Sequence, residues 1–263
     1  MTAENEISKL WPVAEAVADA ARVETLRYFR TSDLQTESKR ADFDPVTVAD
    51  RAAEAAMRAV LAQHRPDDGI LGEEEDAVEG TSGLTWVLDP IDGTRGYISG
   101  TPTWGVLIAL SDATGPRLGL IDQPYIGERF LGGAGRSEMT GPLGPRPLAV
   151  RDTKSLGDAT LFTTFPEVGS AEEGAAFRRV ASEAKLVRYG CDCYAYALLA
   201  AGQIDLVIEA GLQAYDIQAP IAVIEAAGGL VTDWDGGPAH NGGRALAAAT
   251  PELHKAALER LAG

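Results

Sequence analysis

The stretch Trp86-Val87-Leu88-Asp89-Pro90-Ile91-Asp92-Gly93-Thr94 decides how this chain reads. Trp86 to Leu88 has the aromatic and branched content of a buried strand. An acid at 89 and a proline at 90, which cannot donate to a ladder, predict that the strand ends at Asp89. Asp92 follows three residues later, and Gly93 permits a tight path into a helix starting near Thr94. Two carboxylates then sit beside helix-start amides. The carboxylates suit a hard divalent cation such as Mg2+, and the amides suit a phosphate. A plain strand followed by an acidic turn fits the same nine residues, so the rest of the chain has to choose.

With 263 residues, 45% of them hydrophobic, the chain can bury a large core, as one big domain or two packed halves. Its formal net charge of -16 argues against a nucleic-acid polymer or an anionic membrane surface as partner. It does not exclude a small anionic substrate, because a bound cation reverses the local field. The two cysteines, Cys191 and Cys193, are too close in sequence for a disulfide framework and point to packing or site-lining thiols in a reducing, cytoplasmic setting. No stretch reads as a signal peptide or approaches transmembrane length.

Outward from the opening stretch, periodicity predicts helices over 7–30 and 47–64, the second opened by Thr47-x-x-Asp50 as a capping box. Asp50 is thereby a cap candidate, and the polar connection before it carries Lys39. A short strand over 68–72 runs into Glu73-Glu74-Glu75-Asp76, and if it neighbours the strand at 86–89, Glu73 and Asp89 emerge at one sheet edge. Strands over 103–110, 118–121 and 128–131 suggest an antiparallel layer. The Gly- and Pro-rich segment 132–147 reads as a surface loop and the seam between two halves, 1–147 and 148–263. The second half alternates: strands over 159–164, 186–189, 204–208, 230–232 and 245–249, and helices over 171–184, 193–201, 216–227 and 252–261. That pattern indicates an α/β sheet. Asp192 is placed to cap the helix at 193, Glu209 ends the strand before it, and Asp216 opens its helix. Glu73, Asp89, Glu209 and Asp216 thus all stand at element ends, where sites in layered α/β proteins collect.

In combination, Gly72-Glu73-Glu74, the stretch from Trp86 to Thr94, and Tyr215-Asp216 opening a helix that ends Ala226-Ala227-Gly228-Gly229 resemble the inositol monophosphatase superfamily of Mg2+-dependent phosphatases, over nearly the whole chain. The resemblance implies a layered α/β sandwich of αβαβα type and, commonly, a homodimer. It implies two to three Mg2+ ions. Glu73, Asp89 and the backbone carbonyl of Ile91 would hold one; Asp89, Asp92 and Asp216 a second, with Glu73 near a weaker third. Thr94 paired with Asp50 would orient and deprotonate the attacking water, Glu73 counting with them among the catalytic groups, and the amides of Gly93 and Thr94 would cradle the phosphate. Lys39 matches a lysine near the family's metal site. The usual Trp before the last Asp is Tyr215 here.

Within the superfamily, Arg188-Tyr189-Gly190-Cys191-Asp192-Cys193-Tyr194-Ala195-Tyr196, Gly211 to Pro220 and Tyr97-Ile98-Ser99-Gly100 look most like the histidinol-phosphate phosphatase branch. The substrate would be a small phosphate ester carrying an amine and an imidazole, which acids at Asp192 and Glu209 can recognise through charge-assisted hydrogen bonds. An inositol-1-phosphate or nucleotide 3'-phosphate phosphatase of the same fold is the alternative. A catalytically silent metal- or phosphate-binding regulator is the alternative from another class.

Overall fold

The computed structural model describes residues 3–34, 36–38 and 45–263. Lys39 lies outside them. In chain order the N-terminal part comprises α1 (Ala3–Ser8), α2 (Trp11–Tyr28), β1 (Thr36–Ser38), β2 (Pro45–Thr47), α3 (Val48–His64), β3 (Gly69–Gly72), β4 (Thr85–Asp92), α4 (Thr94–Ile98), β5 (Gly105–Asp112), β6 (Gly115–Gln123), β7 (Glu128–Gly133), β8 (Arg136–Thr140) and β9 (Arg146–Pro147). There follow β10 (Thr160–Thr163), α5 (Ala171–Ala181), β11 (Leu186–Tyr189), α6 (Cys193–Ala200), β12 (Leu206–Leu212), α7 (Ala214–Ala226), β13 (Leu230–Thr232), β14 (Gly243–Ala248) and α8 (Pro251–Ala262).

Strands β3 to β9 form a seven-stranded sheet in sequence order, parallel at β3–β4 and antiparallel beyond. The second sheet runs β11-β10-β12-β14-β13. Alternation along the strands sorts side chains into layers. Trp86, Leu88, Val106, Ile108 and Leu110 face α2 and α3, packing on Ala18, Ala53, Met57 and Leu61. Val87, Leu107, Ala109, Ile121 and Phe130 face the other way, onto α6 and α7, which also cover Val207, Ala245 and Ala247 of the second sheet. The far face of that sheet, with Leu161, Leu206, Ile208 and Leu246, packs on α5 and α8 through Phe177, Val180, Leu253 and Ala257. The layers are therefore αβαβα, as the resemblance implies. No helix among the described residues is long and apolar enough to cross a membrane.

Three elements depart from the sequence reading. The first helix is two, because Pro12 lacks the N–H that an unbroken helix needs and begins α2 instead. Strand β4 does not stop at Asp89: it pairs Asp89 with Leu107 and then Asp92 with Gly105, three residues against two. Pro90 lies in this bulge, where its missing N–H costs no ladder bond. The segment 132–147 is not a loop. It completes β7, turns at Gly133, Ala134 and Gly135, all at positive φ, and returns as β8 and β9.

The glycines of that region serve close approach. A Cβ on Gly119 would lie 2.4 Å from the carbonyl oxygen of Ala219, and one on Gly132 would lie 2.3 Å from the Cα of Val223. Helix α7 is thus seated directly on the backbone of β6 and β7. Gly132→Ala should push α7 off the sheet and cost about 1–3 kcal/mol. Chemical denaturation is the check: a lowered midpoint at unchanged slope is expected.

Candidate active site

The bulge in β4 sets the site. It lets Asp89 and Asp92 point to one side although three residues apart, and the Ile91 amide fixes the first by donating to Asp89 Oδ1 at 3.0 Å. Asp92 Oδ2 accepts the Cys193 amide at 2.5 Å, tying β4 to the start of α6. Helix α7 begins two residues before the sequence reading put it, so Asp216 is its third residue, with Oδ2 accepting the Gln213 amide at 2.6 Å. Carboxylate oxygens of Asp89, Asp92 and Asp216 lie within 4.8 Å of one another. Strand β3 pairs Gly72 with Leu88, which sets Glu73 next to Asp89, and the charge of Glu73 bears on Asp50, Asp89 and Asp216.

Asp50 serves twice, because its two oxygens divide the work. Oδ2 accepts the Thr47 amide at 2.9 Å and the Thr47 hydroxyl at 2.5 Å, completing the capping box of α3. Oδ1 faces the Thr94 hydroxyl at 3.4 Å, and the same hydroxyl reaches the Ile91 carbonyl oxygen at 3.2 Å. Beneath them, Phe29, Tyr97 and Trp104 pack ring on ring at 4.9–5.2 Å around Ile91, and the Tyr97 hydroxyl donates to the Thr25 carbonyl. This apolar seat holds α4, and with it Gly93 at φ 87° and Thr94, in place.

Beside the carboxylates opens a cavity of about 310 Å3, lined among others by Asp92, Gly93, Thr94, Asp192, Glu209 and Asp216. Asp192 is not the cap that the sequence suggested. A capping residue holds extended backbone so that its side chain reaches the first-turn amides. Here Gly190, Cys191 and Asp192 have φ of 89°, 84° and 46° in succession, and no side-chain cap forms. The turn lays the carboxylate over Gly93, where a Cβ would come within 2.8 Å of it. Glu209 also departs from expectation: β12 runs past it to Leu212, through a bulge that repeats the three-against-two pattern of β4. Its oxygens accept the Thr164 amide and hydroxyl and the Tyr196 hydroxyl. Two wall residues escaped the sequence reading, Arg95 and Phe165, whose guanidinium and ring stack at 5.2 Å. The place of Arg95, directly after Thr94, was a usable signal. Phe165 carried none.

Burial and crowding raise the proton affinity of Asp50, Asp89, Asp92, Asp192 and Asp216. Burial acts first on Asp89 and Asp92; neighbouring Glu73, Asp92, Asp216 and Asp50 add to it at Asp89, and Asp192 and Asp216 at Asp92, holding both well above the carboxylate range. Burial likewise lifts Asp50 to about 6, against the Thr47 bonds, and Asp216 to about 7, against the Gln213 amide. Asp192 reaches about 7 through burial and Glu209, with Arg95 opposing. A nest of hard oxygen donors that repel one another when ionised fits a divalent cation and little else.

The family model for inositol monophosphatases matches residues 6–262. The chain belongs to the inositol monophosphatase family. It is 41% identical, over 98% of its length and 76% of the relative's, to the chloroplastic bifunctional phosphatase IMPL2 of Arabidopsis thaliana. It is 36% identical, over 92% of each chain, to a histidinol-phosphatase of Streptomyces coelicolor. Among solved structures it superposes on an inositol monophosphatase from Zymomonas mobilis with a TM-score of 0.85 and 35% identity, covering all of both chains. The protein is thus a phosphatase of a metal-dependent family, and the cluster of Asp89, Asp92 and Asp216 has the donors to hold a metal ion.

A stability profile follows from the raised acids. Asp50, Asp192 and Asp216 titrate near 6 to 7 when folded, against about 3.9 for an unfolded Asp, so the folded metal-free protein binds more protons between those limits. The stabilisation is complete below the unfolded value and is lost as pH rises through the folded ones. Thermal melting of metal-free protein should fall by at least about 5 °C from pH 5 to pH 8. Added Mg2+ at pH 8 should restore it; a flat profile contradicts the cluster.

Proposed function

We propose that the protein hydrolyses L-histidinol phosphate to L-histidinol and phosphate, with Mg2+ as its metal. The observation that carries this reading is the pair of acids, Asp192 and Glu209, on the wall of the cavity that opens beside Asp92 and Asp216. A neutral polyol gains little from a doubly acidic wall, whereas an amine and an imidazole, both able to carry charge, gain two ionic hydrogen-bond partners. The likeness to a histidinol-phosphatase over nine-tenths of the chain supports it. One observation favours inositol 1-phosphate instead: three bonds from Thr164 and Tyr196 already occupy much of the acceptor capacity of Glu209.

The proposed ligands are Glu73, Asp89 and the Ile91 carbonyl for one ion, and Asp89, Asp92 and Asp216 for another. When bound, two to three Mg2+ ions supply positive charge for the phosphate and a water acidic enough to attack at neutral pH. The protein's own groups do the rest. Thr94, its hydroxyl directed at Asp50, presents its lone pairs to the attacking water, and Asp50 takes the proton released along that pair. The amides of Gly93 and Thr94 hold phosphate oxygens as the P–O ester bond breaks, and the leaving alkoxide takes a proton from solvent water. Asp192 and Glu209 orient the amine and the ring. In this reading the halves 1–147 and 148–263 divide the labour: the first supplies most metal donors, the second Asp216 and the specificity acids. The dimer expected from resemblance is supported by Leu186 and Tyr189, both about half exposed on the edge strand β11. Free thiols at Cys191 and Cys193 support a reducing, cytoplasmic setting.

Phosphate release from L-histidinol phosphate, inositol 1-phosphate and a nucleotide 3'-phosphate at equal enzyme and Mg2+ tests the substrate. The expected kcat/KM for histidinol phosphate exceeds the others at least tenfold; comparable turnover of inositol phosphate refutes the reading. Asp192→Asn should lower kcat/KM for histidinol phosphate by about 10–100-fold, the worth of one charge-assisted bond, and leave inositol phosphate hydrolysis nearly unchanged. Asp89→Asn should abolish turnover of all three.

A further inference from the structure

Helix α3 carries a second acid, one turn beyond Asp50, that no metal or substrate role uses. Glu54 is fully buried. Its Oε2 accepts the Glu74 amide at 2.8 Å, and its Oε1 accepts the Glu75 amide at 3.1 Å. Arg58, one turn further along the helix, donates Nε to Glu54 Oε1 at 2.8 Å and Nη2 to the Glu75 carbonyl at 3.0 Å. The room for this arrangement comes from Gly72, where a Cβ would stand 2.1 Å from Glu54 Oε1. A single carboxylate and its arginine therefore grip the two peptides that follow Glu73.

We propose that Glu54 and Arg58 are positioning residues that hold Glu73 in its metal-binding orientation before a cation arrives. The inference rests on the reading of Glu73 as a metal ligand. Its physical basis is the repulsion that Glu73 meets. Asp50, Asp89 and Asp216 all feel its charge, so in the metal-free protein like-charge repulsion acts on the segment after β3. Short-range order is thin there: beyond Gly72 the next sheet contact is the bridge between Ile70 and Val78. The grip on amides 74 and 75 opposes the repulsion at the residues nearest the ligand. A helix that needed only an apolar inner face would have no use for a buried carboxylate at position 54, since burying an ion carries a desolvation penalty that pairing only partly returns. Groups that support a ligand from behind set metal affinity by keeping the donor in place.

The test is calorimetric titration of the metal-free full-length protein with Mg2+ alone, so no substrate enters. Glu54→Gln and Arg58→Ala should each weaken Mg2+ binding by about 10–100-fold. At saturating Mg2+, kcat should stay within about threefold of the unaltered enzyme. In a Glu73→Gln background, Glu54→Gln should change Mg2+ affinity less than about twofold, because the residue through which it acts no longer ligates. Unaltered affinity in the single variants, with only a lowered melting temperature, would make the grip a folding contact and overturn the proposal. Equal effects of Glu54→Gln with and without Glu73 would overturn it as well. If Glu54→Gln yields no soluble protein, Arg58→Ala, whose side chain reaches the surface, gives the decision alone. Absence of Mg2+ binding in the unaltered protein would instead sink the metal-site reading itself, a distinct result.

Discussion

Like charges held close in a dry place dominate this structure. Asp89, Asp92 and Asp216 keep oxygens within 4.8 Å of one another, with Asp50, Glu73 and Asp192 near enough to raise their proton affinity. Left to themselves these groups would separate. Four of them are instead fastened by a backbone amide: Asp89 by Ile91, Asp92 by Cys193, Asp216 by Gln213, Asp50 by Thr47. The amide bonds are directional and engage one oxygen of each carboxylate. The same acids thus terminate elements of the fold and stand at the carboxylate cluster, which is why Asp216 both caps α7 and lies in the cluster, and Asp50 both caps α3 and faces Thr94.

The second device is the bulge. A strand alternates sides with period two, so acids at 89 and 92 should point to opposite faces. The extra residue in β4 cancels that, and Pro90 is tolerated because the bulge needs no donor there. Strand β12 repeats the arrangement after Glu209, delivering a buried acid to the opposite wall of the same cavity. One wall of the site is therefore built by a bulged strand in each sheet, with the first turns of α6 and α7 bridging between them.

What the sequence made legible was whatever local chemistry decides. The capping box at Thr47, the helix opened near Asp216 and the alternating strands all follow from neighbours in the chain, whereas the αβαβα layering rested on the family resemblance. The features that escaped depend on partners far away. Pro90 looks like a strand end until Leu107 and Gly105 fix its register. Gly132 looks like loop until α7 is seen lying on it. Asp192 has a capping sequence, but the left-handed run from Gly190 overrules it and spends the side chain on the cavity. Nothing local in the sequence marks Glu54 as buried under amides twenty residues on. Site acids flagged by motif all came together among the described residues; of the residues around them, Phe165 and Thr164 were visible only in three dimensions, whereas Arg95 follows Thr94 directly and Tyr196 closes a quoted segment.

The seating of α7 on Gly119 and Gly132 has a consequence for how the chain is made. Residues 105–133 complete the central strands of the first sheet early, yet the helix that covers their inner face ends only at Ala226. During synthesis Leu107, Ala109, Ile121 and Phe130 therefore stay uncovered while nearly a hundred further residues leave the ribosome. A nascent chain in that interval presents a greasy sheet and an incomplete set of carboxylates, able neither to bury the one nor to neutralise the other. Closure of the core and completion of the carboxylate cluster are the same late event, so a chain cut short before α7 lacks both.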